Sequence, residues 1–200
     1  MPEATPFLNP ALLLTSVFAL ALVASVLLRL WLSSRQIRHV ARHRSTVPAA
    51  FSQSIPLAAH QKAADYTIAK SQLGMLELAW STATLMAWTL LGGLDALNQA
   101  LLGWLGAGMV QQLALLGSFV LIGGLLDLPF SLYQTFVIEE RFGFNKITWR
   151  LWLGDLLKSS LLGALIGLPL AGLILWLMGS TGRFWWLWAW STWMGFSLLM

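Results

Sequence analysis

The sequence predicts an all-α membrane protein: a polytopic helical bundle of about five spans, with one amphipathic helix lying in the membrane interface. Three observations predict it. Hydrophobic residues make up 58% of the chain and charged residues only 10%, where a soluble domain carries roughly 25% charged. The apolar residues come in long blocks, and the mean hydropathy is +0.72, as a ~30 Å hydrocarbon core demands of helices that satisfy their own backbones. Finally, the basic residues cluster beside those blocks. The 12 Lys and Arg against 8 Asp and Glu give +4, a pattern of membrane flanks rather than of a nucleic-acid surface. With no cysteine, the chain can have no disulfide, thiolate metal site or cysteine nucleophile.

The first apolar run is Ala11 to Leu32, with Arg29 near its end. A secretory signal would have a basic leader and a shorter apolar stretch. Here the tail carries Glu3 and no Lys or Arg, whereas Arg35, Arg38, Arg42 and Arg44 follow the run. The reading is a retained anchor, residues 1–32, with its N-terminus outside. Residues 33–73 form a polar loop with helical pieces, carrying Pro48 and Pro56. Residues 74–138 hold the second span (Gly74 to Leu94), an apolar glycine-rich connector of interfacial or re-entrant type, and the third span (Gln112 to Ile138). Pro129 in "DLPF" predicts a kink or break in that third span. Residues 139–158 are a charged elbow leading into the interfacial helix. Residues 159–200 hold the fourth span (Leu161 to Met178, with Pro169) and a fifth that begins in "FWWLWAWSTW".

Orientation can be counted. With the N-terminus outside, Arg29, Arg35, Arg38, Arg42, Arg44, Lys62, Lys70, Arg141, Lys146, Arg150 and Lys158 fall inside, and only Arg183 outside. That bias places the long basic loop in the cytoplasm, in a bacterial inner membrane or an ER-type membrane. The fifth span ends on "GFSLLM" without a polar flank. A free carboxylate at the edge of hydrocarbon is costly, so the chain reads as a fragment continuing on the cytoplasmic side.

Several residues invite a chemical reading. In "HVARH", His39 and His43 lie one helical turn apart, the ligand spacing of a zinc helix. Val40 stands where a general base would be needed, and the neighbouring arginines repel a dication, so a basic juxtamembrane helix meeting anionic head groups is favoured. Glu77 and Asp127 are carboxylates in or beside apolar spans, which usually face a polar cavity or a partner. Glu77 is also close enough to the interface to snorkel, and Asp127 could equally cap a helix restarting at Pro129. "GALIG", Gly163 to Gly167, permits close helix approach, within the chain more readily than between copies. The tryptophans from Trp185 to Trp193 fit an aromatic belt.

The densest charge lies in "FVIEERFGFNKIT", Phe136 to Thr148. Gly143 between two phenylalanines suggests a tight turn. After it Trp149, Trp152, Leu153 and Leu156 recur at i, i+3, i+4 and i+7, one face of an interfacial helix that Asn145 or Thr148 could cap. By periodicity this is an ordered, charged elbow feeding an amphipathic helix.

This elbow, with "DLLK" (Asp155 to Lys158) after it and "DYTIAK" (Asp65 to Lys70) before the second span, resembles the membrane half of the type I CAAX prenyl proteases, integral-membrane zinc metalloendopeptidases. The resemblance covers Lys62 to Met200. Glu139, Glu140, Arg141, Phe142, Gly143, Phe144, Asn145 and Lys146 match the elbow; Asp65, Tyr66, Lys70, Asp155 and Lys158 are the secondary matches. It implies a full-length protein that cuts prenylated CAAX-type or membrane proteins in a water-filled intramembrane chamber, with zinc held by H-E-x-x-H and a later glutamate. No H-E-x-x-H occurs here, so no catalytic or metal residue carries over. The chain is then expected to bind no zinc itself, to be inactive alone and to form the chamber wall. Its partners would be the bilayer, the missing C-terminal catalytic half and, in the complete protein, a peptide or lipidated peptide. The alternatives are a transporter or channel subunit with Asp127 and Glu77 lining a polar path, or a non-enzymatic membrane scaffold.

Overall fold

A computed structural model describes residues 9–199; the tail with Glu3 and the chain end at Met200 lie outside the described residues. Regular structure among those residues is helical throughout: α1 (Pro10–His43), a 3-10 turn (Ala49–Phe51), α2 (Leu57–Thr89), α3 (Gly93–Leu105), α4 (Met109–Tyr133), a π-helical segment (Gln134–Glu139), α5 (Trp149–Ser180), a second 3-10 turn (Gly182–Phe184) and α6 (Trp185–Leu199). Three stretches are long and apolar enough to cross a membrane: Pro10–His43, Met109–Glu139 and Trp149–Ser180. In α2 the expected span is diluted by Glu77, Ser81, Thr82 and Thr84, and α6 counts 15 residues.

The helices begin where local chemistry starts them. Asn9 caps α1, its side-chain oxygen accepting from the Ala11 N–H at 3.0 Å, with Pro10 pre-set in the first helical turn. Thr148 caps α5 by accepting from the Leu151 N–H at 3.4 Å; of the two candidates, it is the residue that serves.

Three expectations are revised. α1 does not stop near Leu32 but runs on to His43, because nothing between Ser33 and His43 breaks a helix and Pro48 comes only later. Pro129 lies inside α4, which continues to Tyr133; the irregularity falls downstream, in the π-helical segment. Asp127 is therefore a mid-helix residue and caps nothing. The interfacial stretch and the fourth span form one 32-residue helix, α5, unbroken at Gly154 or Pro169. At ~1.5 Å per residue that helix is far longer than the ~30 Å hydrocarbon core, so it has length for an interfacial turn as well as a span.

The chain divides into two compact units, Met1–Gly93 with Leu128–Lys146, and Leu94–Asp127 with Ile147–Met200. In the first, α1 packs along α2, and α2 packs against the π-helical segment. Its core is small: Leu73, Ile138 and Phe142, ringed by Tyr66, Ala69 and Phe130. In the second, α4 meets α5 through an i, i+4 row. A Cβ on Gly172 would sit 3.6 Å from Met109 and 3.8 Å from Leu113, and one on Gly117 3.7 Å from Leu168, the geometry of ridges in grooves. Gly163 and Gly167 of "GALIG" have no such neighbour within 4 Å; the close approach is made by other glycines. Buried Gln111 donates to Asn98 Oδ1 at 2.6 Å, fastening α3 to α4. Most large apolar side chains are exposed, as on helices whose solvent is lipid.

Candidate functional site

The elbow is built by a helix end. After the π-helical segment a last helical turn closes at Arg141, and Gly143 adopts φ +74°, a left-handed conformation that glycine takes at least cost. The Phe144 N–H donates to the Glu139 carbonyl at 2.8 Å, and the Gly143 N–H to the Glu140 carbonyl at 3.0 Å. These are the paired bonds of a Schellman stop, with glycine at its C′ position. The chain then runs extended to Thr148 and enters α5.

Ending the helix this way turns Phe142 inward and leaves Phe144 beside it on the outside. Phe142 is 7% exposed, packed with Leu73 and Ile138; Phe144 is exposed. Tyr66 of α2 meets both rings edge-on, at 5.4 Å from Phe142 and 4.9 Å from Phe144, the arrangement aromatic quadrupoles prefer. Cations rim this cluster. Lys62 lies 5.9 Å from the Phe144 ring, Lys70 5.8 Å from Tyr66, and Arg141 5.7 Å from Phe142. The elbow and the Tyr66 segment, some seventy residues apart in sequence, are thus one site.

The acidic residues are held by amides. Glu140 accepts from Asn145 Nδ2 at 2.9 Å, and Glu139 from Gln134 Nε2 at 3.4 Å. Pairing with Arg141 or Lys146 does not occur among the described residues. The ion pair among the described residues is elsewhere: Arg44 grips Asp65 with two charge-assisted hydrogen bonds, 2.6 and 2.7 Å, joining the end of α1 to α2. The hydrogen bonds from Arg44 hold the Asp65 carboxyl below its ordinary range, helped by attraction to Arg44 and Arg141 and opposed by desolvation. His60 Nε2 adds a 3.0 Å bond to the His43 carbonyl. Beside the elbow, a cleft of about 560 Å³ lies between α2 and the end of α4, lined by Leu73, Leu76, Phe130, Tyr133, Ile138 and Arg141 among others.

The profile of the CAAX prenyl protease N-terminal family, described as five membrane helices, matches residues 36–200. The chain belongs to that family. The match starts at residue 36, upstream of the Lys62 where the sequence resemblance began. CAAX prenyl protease 1 of Saccharomyces cerevisiae is 46% identical over 67 residues, covering 34% of this chain and 15% of that protein. The Homo sapiens homolog of CAAX prenyl protease 1 is 29% identical over 184 residues, covering 87% of this chain and 38% of that protein. A crystal structure of S. mikatae Ste24p superposes with a TM-score of 0.82 at 26% identity, covering 96% of this chain and 45% of that one. The chain therefore spans less than half the length of these relatives and corresponds to the N-terminal membrane region of the family.

Within this CAAX protease domain the other candidates scatter. Asp155 and Lys158 are exposed on α5 and Asp127 is exposed on α4, all in the second unit; Glu77 is half-buried on α2 in the first. Zinc, implied by the resemblance, finds no fit: among the described residues no group of three His, Cys, Asp or Glu could hold a metal ion. His43 Nδ1 is bonded to the His39 carbonyl at 2.8 Å, and the two rings lie 4.3 Å apart, tilted by 38°, so "HVARH" spends one of its four ring nitrogens on its own backbone. No chemical step is assigned to zinc in this domain. Sequence reading missed two features. In the sequence Arg44 reads as a membrane-flanking charge, although an Arg and an Asp bracketing a loop are a signal for pairing. The partners of Tyr66 left no periodic trace at all.

Proposed function

We propose that this chain is the membrane-embedded N-terminal half of a zinc metalloendopeptidase that cuts prenylated CAAX-type or membrane proteins, and that it contributes chamber wall rather than catalytic groups. The elbow, Glu139 to Lys146, orders this half against the C-terminal catalytic half, which would carry the zinc. The observation that carries the reading is the convergence of the two family segments. Tyr66 comes from one and Phe142 and Phe144 from the other, and Tyr66 meets both rings, with Lys70 beside Tyr66 and Arg141 beside Phe142. A joint packed on aromatic contacts, with exposed charge at Arg141 and Lys146, is suited to presenting a surface to another polypeptide. The long basic segment and the elbow lie on the cytoplasmic side by the charge bias. The alternative of an ion path lined by Asp127 and Glu77 gains nothing from the family membership.

The test is complementation. The purified chain, assayed alone on a farnesylated CAAX peptide, should give no cleavage and less than a tenth of an equivalent of zinc by elemental analysis. Co-expressed with the C-terminal half of a family member, it should form a complex that cleaves the peptide and holds zinc near one equivalent. Cleavage or stoichiometric zinc in the chain alone would overturn the proposal, as would a C-terminal half that is fully active without it.

A further inference from the structure

The end of α1 carries a surface that the protease reading does not use. Trp31, Arg35, Arg38 and Arg42 recur at i, i+4, i+7 and i+11, which places them on one face of a helix. With His39 they line a shallow concavity of about 360 Å³. The Arg35 guanidinium lies 4.7 Å from the centre of the Trp31 ring, a stacked pair that holds both side chains against the helix. All five side chains are exposed. The ion pair among the described residues is Arg44–Asp65, so no carboxylate neutralises Arg35, Arg38 or Arg42.

Position decides what such a face meets. α1 is 34 residues long, and about 20 residues suffice to cross the hydrocarbon. The apolar run ends at Leu32, and the helix continues without interruption through the arginines. Trp31 therefore sits at head-group depth, where indoles settle, and the three guanidiniums emerge along the next ~16 Å of helix, at the height of lipid phosphates and just beyond. An ammonium would offer a point charge there. A guanidinium offers a planar fork that binds a phosphodiester through two hydrogen bonds.

We propose that this face of α1 is a binding site for the head group of an anionic phospholipid, with Arg38 and Arg42 on the phosphate and the Trp31–Arg35 pair closing its membrane side. The charge complementarity is one-sided: three cations outside any ion pair among the described residues, in the layer where anionic lipid is the available counter-charge. Trp31 and Arg35 lie upstream of the region shared with the family, Arg38, His39 and Arg42 lie at its very start, and the site needs neither the elbow nor the catalytic half.

The experiment titrates the purified chain in neutral detergent with dioctanoyl phosphatidylglycerol by calorimetry. The comparisons are dioctanoyl phosphatidylcholine and inorganic phosphate. Phosphatidylglycerol should bind and weaken as salt rises; phosphatidylcholine and free phosphate should bind at least tenfold less tightly. One basic residue beside an anionic surface contributes on the order of fivefold, so the triple variant R35Q/R38Q/R42Q should lose about 100-fold. A control lacking two exposed cations of α5, R150Q/K158Q, should change less than threefold. Circular dichroism confirms that each variant keeps its helix content, and the single variant Arg38→Gln, losing about fivefold, serves if the triple variant does not. An Arg variant that binds like the parent overturns the site. So does phosphatidylcholine binding as well as phosphatidylglycerol. Inorganic phosphate binding as tightly as the lipid would reassign the face to a soluble anion and equally overturn the proposal.

Discussion

Gly143 and Phe142 do opposite jobs one peptide apart. A Cβ on Gly143 would meet only Lys62 Nζ at 3.8 Å, an ordinary contact, so alanine there is not excluded by space. Its φ of +74° is what an L side chain resists, at a cost of about 1–2 kcal/mol. Gly143→Ala should therefore lower thermal stability in detergent by that amount, and Gly143→Asn by less, because asparagine tolerates the left-handed region. A melt unchanged by alanine would mean that the Schellman turn does not form in solution. Phe142→Ala removes the ring on which Leu73, Ile138 and Tyr66 converge, and large-to-small changes at such sites cost about 3–5 kcal/mol. The glycine was legible in the sequence, since a Gly flanked by aromatics after a helical run asks for a turn. The assignment of Phe142 inward and Phe144 outward was not, because it depends on the phase at which the π-helical segment delivers the helix end. No spacing in "EERFGFNK" records that phase.

At the scale of elements, the join between α1 and α2 depends on a pair that titrates. Asp65 has a carboxyl held below its ordinary range in the folded chain, chiefly by hydrogen bonds from Arg44. A group depressed by folding stabilises the fold above its unfolded pKa and loses that contribution as pH falls through the folded value. The α1–α2 join should thus be at full strength at neutral pH and weaken below about pH 4, the ordinary Asp range. Both side chains are roughly half exposed, so added salt should mute the effect. Melting curves from pH 6 down to pH 3 would show the acid loss in the parent chain and a flatter profile in Asp65→Asn. Equal slopes in the two would place the acid sensitivity elsewhere. Helix existence was largely readable here: apolar runs gave α1, α4 and α5, Thr148 was a visible cap, and the apolar, glycine-rich connector pointed to an interfacial or re-entrant segment, where α3 lies. Helix length was less so. Hydropathy marks where a chain leaves lipid, not where its backbone stops being helical, which is why α1 outruns Leu32 and why α5 absorbs the expected interfacial helix.

For the whole molecule, the proposed pairing with a catalytic half asks for an exposed surface that another polypeptide can meet. The elbow keeps two exposed cations outside any ion pair among the described residues. Glu139 and Glu140 are satisfied by amides, while Arg141 and Lys146 are exposed and outside any ion pair among the described residues. If these cations dock the catalytic half, Arg141→Glu with Lys146→Glu replaces attraction by repulsion at the joint. Interface charge pairs contribute on the order of 1–3 kcal/mol to coupling, so the double reversal should cut co-purification of the two halves at least tenfold and proteolysis with it. The melt of the membrane half should fall by no more than about 1 kcal/mol, since neither side chain is buried and Arg141 gives up only an exposed contact with the Phe142 ring and its attraction to Asp65. That split is what distinguishes docking from folding: a variant that loses more stability than that in the isolated half would make the elbow a structural brace, and one that changes neither quantity would remove it from the interface.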